Sequence, residues 1–240
     1  MNPRRILQQS VILLALLTSQ ISLFGQTTPA DTPTYRAGLK SIAIPAPDST
    51  LGETGPDYRV LLENLVPENN RLVAAFVTPD DLTSMKSGNS TSVALNRYAL
   101  VEVSRRAEFA NIAPEMFKEI STGMAKQFDG DLTATFKEQE ETINRRLKAL
   151  SSNPGPVTID KPTQLGALFS KPDACAFAMI APYTSSGKTV RRAMGVILLR
   201  VQTRVLFVYL YTEFKDDSSV AWIRTTTAQW ADAILKANQP

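Results

Sequence analysis

The sequence predicts an α+β fold in which an antiparallel sheet is flanked by helices, an α/β/α sandwich. Two observations carry this. Four stretches with strand composition, 164–170, 174–183, 190–201 and 204–214, follow one another through turns as short as Lys171-Pro172-Asp173 and Ser185-Ser186-Gly187. Turns of that length join antiparallel neighbours and leave no room for a crossover. Around this meander, residues 114–150 and 219–237 carry one-sided apolar stripes at helical spacing.

Taken in order, the first 25 residues have the layout of a secretory signal peptide: Arg4 and Arg5, an apolar run over 11–17, then a small and polar stretch over 18–25. Gln8, Gln9, Ser19 and Gln20 interrupt the apolar stretch, whereas a spanning helix needs roughly 20 mostly apolar residues, so cleavage is expected rather than anchoring. Gln8 stands where a twin-arginine signal wants a hydrophobic residue, which points to general, Sec-type secretion. The expected address is secreted or periplasmic, with no stable membrane span after cleavage. Residues 26–38, with Pro29 and Pro33 among threonines, read as a flexible spacer. Residues 39–240 read as a single α+β domain with a helical hairpin over 114–150.

Within the domain, 39–44 is a plausible first strand, stopped by Pro45 and Pro47. The apolar run 58–66 behind Asp57 is too short for its period to separate helix from strand. Residues 71–78 read as a strand, and so do 97–104, where Tyr98, Leu100 and Glu102 alternate with Ala99, Val101 and Val103. The polar, serine-rich stretch 80–92 reads as loop, and its Asn89-Ser90-Thr91 is a glycosylation sequon in form. Pro114 opens a helix with Phe117, Ile120, Met124 and Phe128 on one stripe, and Asp129-Gly130-Asp131 breaks it. A second helix over 132–150 places Leu132, Phe136, Ile143, Leu147 and Leu150 on one face and Glu141 four residues before Arg145 on the other. Asn153-Pro154-Gly155-Pro156 ends this section. Residues 196–199 and 205–210 are apolar in both strand phases, so the meander is expected to be covered on each side. In the last helix Val220, Ile223, Thr227, Trp230, Ala231 and Ile234 form the stripe. Trp222 lies off it, either packed under a neighbouring loop or presented to a partner, and is the candidate binding residue.

Charge and composition exclude several functions. Arg4 and Arg5 are the only charged residues among the first 25, so without them 24 basic residues face 23 acidic ones and the overall +3 falls to +1. Arg97, Arg145, Arg191, Arg200 and Arg204 are spread along the chain rather than clustered, which argues against nucleic acid as a partner. The chain has no histidine and one cysteine, which removes Ser-His-Asp and Cys-His hydrolases and His-containing zinc sites together. No cofactor or metal is called for. Cys175, in an apolar run, is expected to be a small buried hydrophobe.

Four motifs resemble chemistry without completing it. Ser186-Gly187-Lys188-Thr189 ends like a phosphate-binding loop, but Pro182 replaces the first glycine and a strand follows instead of a helix. Ser185 and Lys188 have the Ser-x-x-Lys spacing of an acyl-transfer nucleophile, without the companion Ser-Asp-Asn and Lys-Thr-Gly motifs. Asp129-Gly130-Asp131 lacks the alternating oxygen ligands of a calcium loop and reads as a turn and helix cap. Glu138, Glu140 and Glu141 sit on the polar face of their helix, where surface charge is their ordinary meaning.

In its order of elements, a strand series ending Arg204-Val-Leu-Phe-Val-Tyr-Leu-Tyr-Thr-Glu-Phe, a polar loop over 215–218 and a closing amphipathic helix, the chain resembles the Mog1p/PsbP-like fold shared by DcrB-like bacterial envelope proteins. The resemblance covers 39–237 and departs from the pattern in the long 114–150 pair. It implies an accessory or binding role and transfers no functional residue. The expected function is therefore a non-catalytic accessory protein of the cell envelope that binds a protein or a small apolar ligand. Two alternatives remain: an enzyme built on Ser185 and Lys188 or on a carboxylate pair, and an apolar-ligand binder built on Phe117, Phe128 and Phe136. If the leader is cleaved, N-terminal sequencing of the protein from fractionated cells gives a mature form beginning near Gln26 or Asp31. A full-length form confined to membranes would contradict it.

Overall fold

A computed structural model describes residues 32–63, 66–87, 95–150, 156–185 and 187–239. The leader, residues 26–31 and the 89–91 sequon lie outside the described residues. The compact unit begins at Pro33. Its first element is a two-stranded ribbon, β1 (Thr34–Ala37) and β2 (Lys40–Ala43), turned through Gly38 at φ 57. The expected spacer is thus corrected: its last residues are strand. Proline and threonine composition masked the alternation in Thr-Tyr-Arg-Ala, which buries Tyr35 and Ala37.

The elements that follow are β3 (Gly52–Glu53), α1 (Gly55–Glu63), β4 (Asn70–Val77), α2 (Pro79–Lys86), β5 (Arg97–Ser104), α3 (Pro114–Asp129) and α4 (Thr133–Leu150). Then come β6 (Val157–Ile159), β7 (Thr163–Lys171), β8 (Ala174–Ser185), β9 (Lys188–Val201), β10 (Arg204–Glu213) and α5 (Asp217–Ala237). The main sheet has eight strands in the order β3-β4-β5-β10-β9-β8-β6, with β7 also paired to β8. Every pairing is antiparallel. The fold class is α+β with the sheet flanked by helices, as the sequence predicts.

The ambiguous run 58–66 is helical as far as Glu63, and α1 begins ahead of Asp57. The loop expected over 80–92 is corrected at its start, where α2 forms. Thr78 accepts a hydrogen bond from the Asp81 amide at 3.1 Å and donates one to the Asp81 carboxylate at 2.8 Å. Pro79 at the first helical position and Asp80 in the first turn complete an N-terminal signal that serine content obscured.

Alternation then sorts the side chains into two cores. Ala99, Val101, Ile197, Leu199, Val208 and Leu210 face the β1–β2 ribbon and α5. Their strand neighbours Tyr98, Leu100, Met194, Val196 and Tyr211 face α1, α2 and α4. The central strands are therefore covered on both sides. On the α5 side the packing is close. A Cβ at Gly195 would stand 2.3 Å from Thr227 Oγ1 and 3.3 Å from Ile223 Cγ2, so only glycine lets the helix lie this near β9. Asp216 caps α5 by accepting from the Ser218 amide at 2.8 Å. At the other end Asn238 donates to Ala43 O at 2.7 Å and accepts from the Ala43 amide at 2.9 Å, binding β2 to the helix.

Trp230 is fully buried in this core, edge-on to Phe76 at 5.7 Å, and donates its indole N–H to Pro45 O at 2.7 Å. Trp222 is half-buried. Its indole N–H donates to Asp48 Oδ2 at 2.8 Å, and the Arg97 guanidinium lies 4.2 Å over its ring. Trp230→Ala is expected to cost roughly 3–5 kcal/mol by opening a cavity at the centre of the layer. Trp222→Phe, which keeps a ring under Arg97 and loses one hydrogen bond, is expected to cost about 1 kcal/mol. Denaturant titration of the two variants separates these values.

Candidate functional site

The α3–α4 hairpin covers the sheet incompletely. Of the predicted α3 stripe, Phe117 is fully buried, Met124 and Phe128 are half-buried, and Ile120 is 38% exposed. Ile120 thus departs from expectation, because the helix presents the Phe117, Met124 and Phe128 side to the sheet and leaves Ile120 on its flank. On α4, Leu132 and Phe136 are buried and Ile143 half-buried, while the side chains of Leu147 and Leu150 lie outside the described set.

The hairpin is held by ties to the segments around it. Phe128 stacks on Phe177 of β8 with ring centres 4.4 Å apart. Asn144 donates to Val157 O at 2.7 Å and accepts from the Val157 amide at 2.8 Å, and Glu140 accepts from the Ile159 amide at 2.8 Å, so α4 is bonded along β6. Gln164 of β7 donates to Gly130 O at 2.7 Å in the interhelical turn. On the side facing β4, Arg145 pairs with Glu68 at 2.8 Å, and Arg146 donates to Glu63 O at 2.7 Å and to Val66 O.

What these ties leave is a cleft of about 770 Å³. Phe128, Leu132, Phe136 and Ile143 form its roof. The floor comes from sheet positions of one phase: Glu102 opposite Phe207 across β5 and β10, Tyr209 opposite Val196, and Tyr211 opposite Met194, which in turn lies opposite Met179 of β8. Tyr211 stacks on Tyr98 at 4.4 Å.

One charged side chain stands on this floor. Glu102 is 2% exposed, and its Oε2 accepts from Asn70 Nδ2 at 2.8 Å. Among the described residues, Oε1 accepts no hydrogen bond. Burial pushes the carboxyl up to about 7, opposed in part by the Asn70 amide and by the charge of Arg146. Burial also raises the Tyr209 and Tyr211 phenols, and Glu102 adds to both shifts. Neither hydroxyl is hydrogen-bonded to another described residue.

The residues singled out in the sequence fall elsewhere for the most part. Phe128 and Phe136 meet at the cleft. Phe117 packs with Ile112, Cys175, Phe177 and Leu198 in a separate cluster. Cys175 is buried there, and burial pushes its thiol up to about 11. Trp222 lies with α5 on the opposite face of the sheet, engaged by Asp48 and Arg97. Ser185 and Lys188 pair at the exposed tip of the β8–β9 hairpin, beside a turn through Gly187 at φ 74. Their side chains make no hydrogen bond to each other, and Ser186 lies outside the described residues. Asp131 caps α4, accepting from the Thr133 hydroxyl at 2.5 Å and the Thr133 amide at 2.9 Å, and these two bonds lower its carboxyl. Glu138 and Glu141 stand on the cleft rim, whereas Glu140 serves β6.

The sequence held a signal for Glu102 that its reading passed over. In 97–104 it shares a phase with Tyr98 and Leu100, and a lone carboxylate on an otherwise apolar strand face is either solvated or functional. Asn70, Tyr209 and Tyr211 gave no separate signal.

The molecule thus belongs to the class of α+β sandwiches with one closed and one clefted helical face. No protein-family model matches the chain. No curated protein matches it. Among solved structures it is similar to a point mutant of the protein Mog1, at 11% identity over 86% of this chain and 93% of that one, with a TM-score of 0.30. It is also similar to the Saccharomyces cerevisiae Ran-binding protein Mog1p, at 10% identity over 86% of this chain and 90% of that one, with a TM-score of 0.25. No residue role transfers across overlays so distant. Among the described residues, no helix is long and apolar enough to cross a membrane.

Glu102 makes stability depend on pH. An unfolded glutamate titrates near 4.3. Between that value and about 7 the folded chain keeps a proton that the unfolded chain has lost, so stability falls as pH rises through this window and levels off above it. At 1.36 kcal/mol per unit the fall is roughly 4 kcal/mol. No histidine titrates in the same window. Glu102→Gln, which keeps an acceptor for Asn70, is expected to flatten the profile, as read by urea titrations between pH 4.5 and 8.

Proposed function

We propose that this chain is a non-catalytic accessory protein of the secreted or periplasmic space that holds a small apolar molecule between its sheet and the α3–α4 hairpin. The cleft carries this reading. Small-molecule sites are concave, roughly 300–1,000 Å³ in volume, mainly apolar, and set with a few orienting polar groups. Phe128, Phe136, Met179, Met194 and Val196 supply the apolar walls, and Glu102 with the Tyr209 and Tyr211 hydroxyls supplies the polar groups. The leader supports export. The exposed hairpin position of Ser185 and Lys188 supports a non-catalytic role, since an acyl-transfer nucleophile needs a shielded and oriented site.

N-phenyl-1-naphthylamine, a neutral fluorophore that brightens in apolar surroundings, tests the reading. The purified protein is expected to raise its emission in a saturable way. Ile143→Trp and Met124→Trp, which fill the cleft from two half-buried roof positions, are expected to weaken binding by about tenfold each, with far-UV circular dichroism confirming the fold. Equal binding by the filled variants would place the fluorophore elsewhere and overturn the proposal.

A further inference from the structure

Glu102 narrows the ligand class, on the reading that the cleft is a ligand site. The carboxylate is 2% exposed and holds one neutral donor, Asn70, on Oε2, with Oε1 accepting nothing among the described residues. A buried carboxylate is stable only when paired or fully hydrogen-bonded. The cation nearest in effect, Arg146, is occupied by the carbonyls of Glu63 and Val66. On the cleft side the carboxylate has Phe207 across the strand and Tyr209 on the same face. Aromatic faces favour a cation and have nothing to offer an anion.

The charges around the mouth have the same sign preference. Arg106 and Arg145 face Glu68, Glu138 and Glu141 on the rim, and Arg145 is already paired with Glu68. With Glu102 counted, acids outnumber bases, so a cationic group is drawn in and an anionic one is repelled. The α4 side adds Arg146, whose charge acts on Glu102, while its Glu140 is engaged by the Ile159 amide, and β10 adds the Tyr209 and Tyr211 phenols.

We propose that the cleft takes an apolar amine, seated with its ammonium group on Glu102, within reach of the Tyr209 and Tyr211 hydroxyls, and with its apolar body along Met179, Met194 and Phe128. The ammonium brings a counter-charge to Oε1, which accepts no hydrogen bond among the described residues. The raised proton affinity of Glu102 fits this, because a cation that arrives there displaces the proton.

Displacement of N-phenyl-1-naphthylamine by decylamine, decanol and decanoic acid, each below its micellar concentration, tests the proposal on the intact protein. At pH 8 decylamine is expected to displace the fluorophore at about tenfold lower concentration than decanol, and decanoate to be the weakest of the three. On lowering the pH to 5.5 the amine stays charged, as a lysine does, while Glu102 takes a proton, so the advantage over decanol is expected to shrink to about twofold. In Glu102→Gln the amine and alcohol titrations are expected to converge at both pH values. Equal displacement by amine and alcohol in the unaltered protein at pH 8, or an amine advantage that survives in Glu102→Gln, would overturn the proposal while leaving the apolar cleft standing. Failure of the fluorophore to bind at all would remove the cleft reading and this proposal with it.

Discussion

The structure depends on a sheet whose central strands are apolar on both faces. In β8, β9 and β10 neither phase can be left to water, so each side needs a layer of its own. One side is solved by a single 21-residue helix, and the solution works because Gly195 removes the one side chain that would hold α5 away from β9. Trp230 then reaches the loop carbonyl of Pro45, and Asn238 bonds both groups of Ala43, so the ribbon, the helix and the sheet close as one unit. At Gly195 that face is fitted by shape as much as by apolarity.

The other face faces the same requirement with different pieces. Four helices cover it, and α3 and α4 combine apolar contacts through Phe117, Phe128 and Phe136 with side-chain bonds to backbone. Asn144, Glu140, Gln164 and Arg146 each reach a main-chain group of a neighbouring segment. Phe136 packs into the apolar layer that holds Val196, with Phe128 against it, and the cleft opens beside these contacts, lined by Phe128, Phe136, Tyr209 and Val196 together.

How far this was legible in the sequence follows from where each signal resides. Strand order in the C-terminal half, both long helices and the covered meander were readable because they rest on period and turn length, which are local. The start of α2 was missed although Thr78, Pro79 and Asp81 spell a helix cap, because serine content was weighed above cap chemistry. The ribbon strand β1 was missed because four residues carry too little pattern. The cleft was only half legible. Phe128 and Phe136 belong to one sequence stretch and announce a shared face, but the floor is assembled from β5, β8, β9 and β10 by register, and register between distant strands is not written in either strand alone. Trp222 drew attention by lying off its stripe, and a loop from the far end of the domain accounts for it through Asp48.

The position of Glu102 is hard to explain by packing. Its neighbours across the sheet, Leu72 and Phe207, continue an apolar row that leucine would extend at no electrostatic cost. Among the described residues the carboxylate accepts one hydrogen bond, from Asn70. With that bond in place its proton affinity is still raised by burial, so the ionised form is disfavoured at neutral pH. A carboxylate held in a raised state of proton affinity on an apolar row, and lining the cleft, finds its compensation outside the chain. The carboxylate is stabilised when something else brings a donor to Oε1, and the cleft is the route by which that donor arrives.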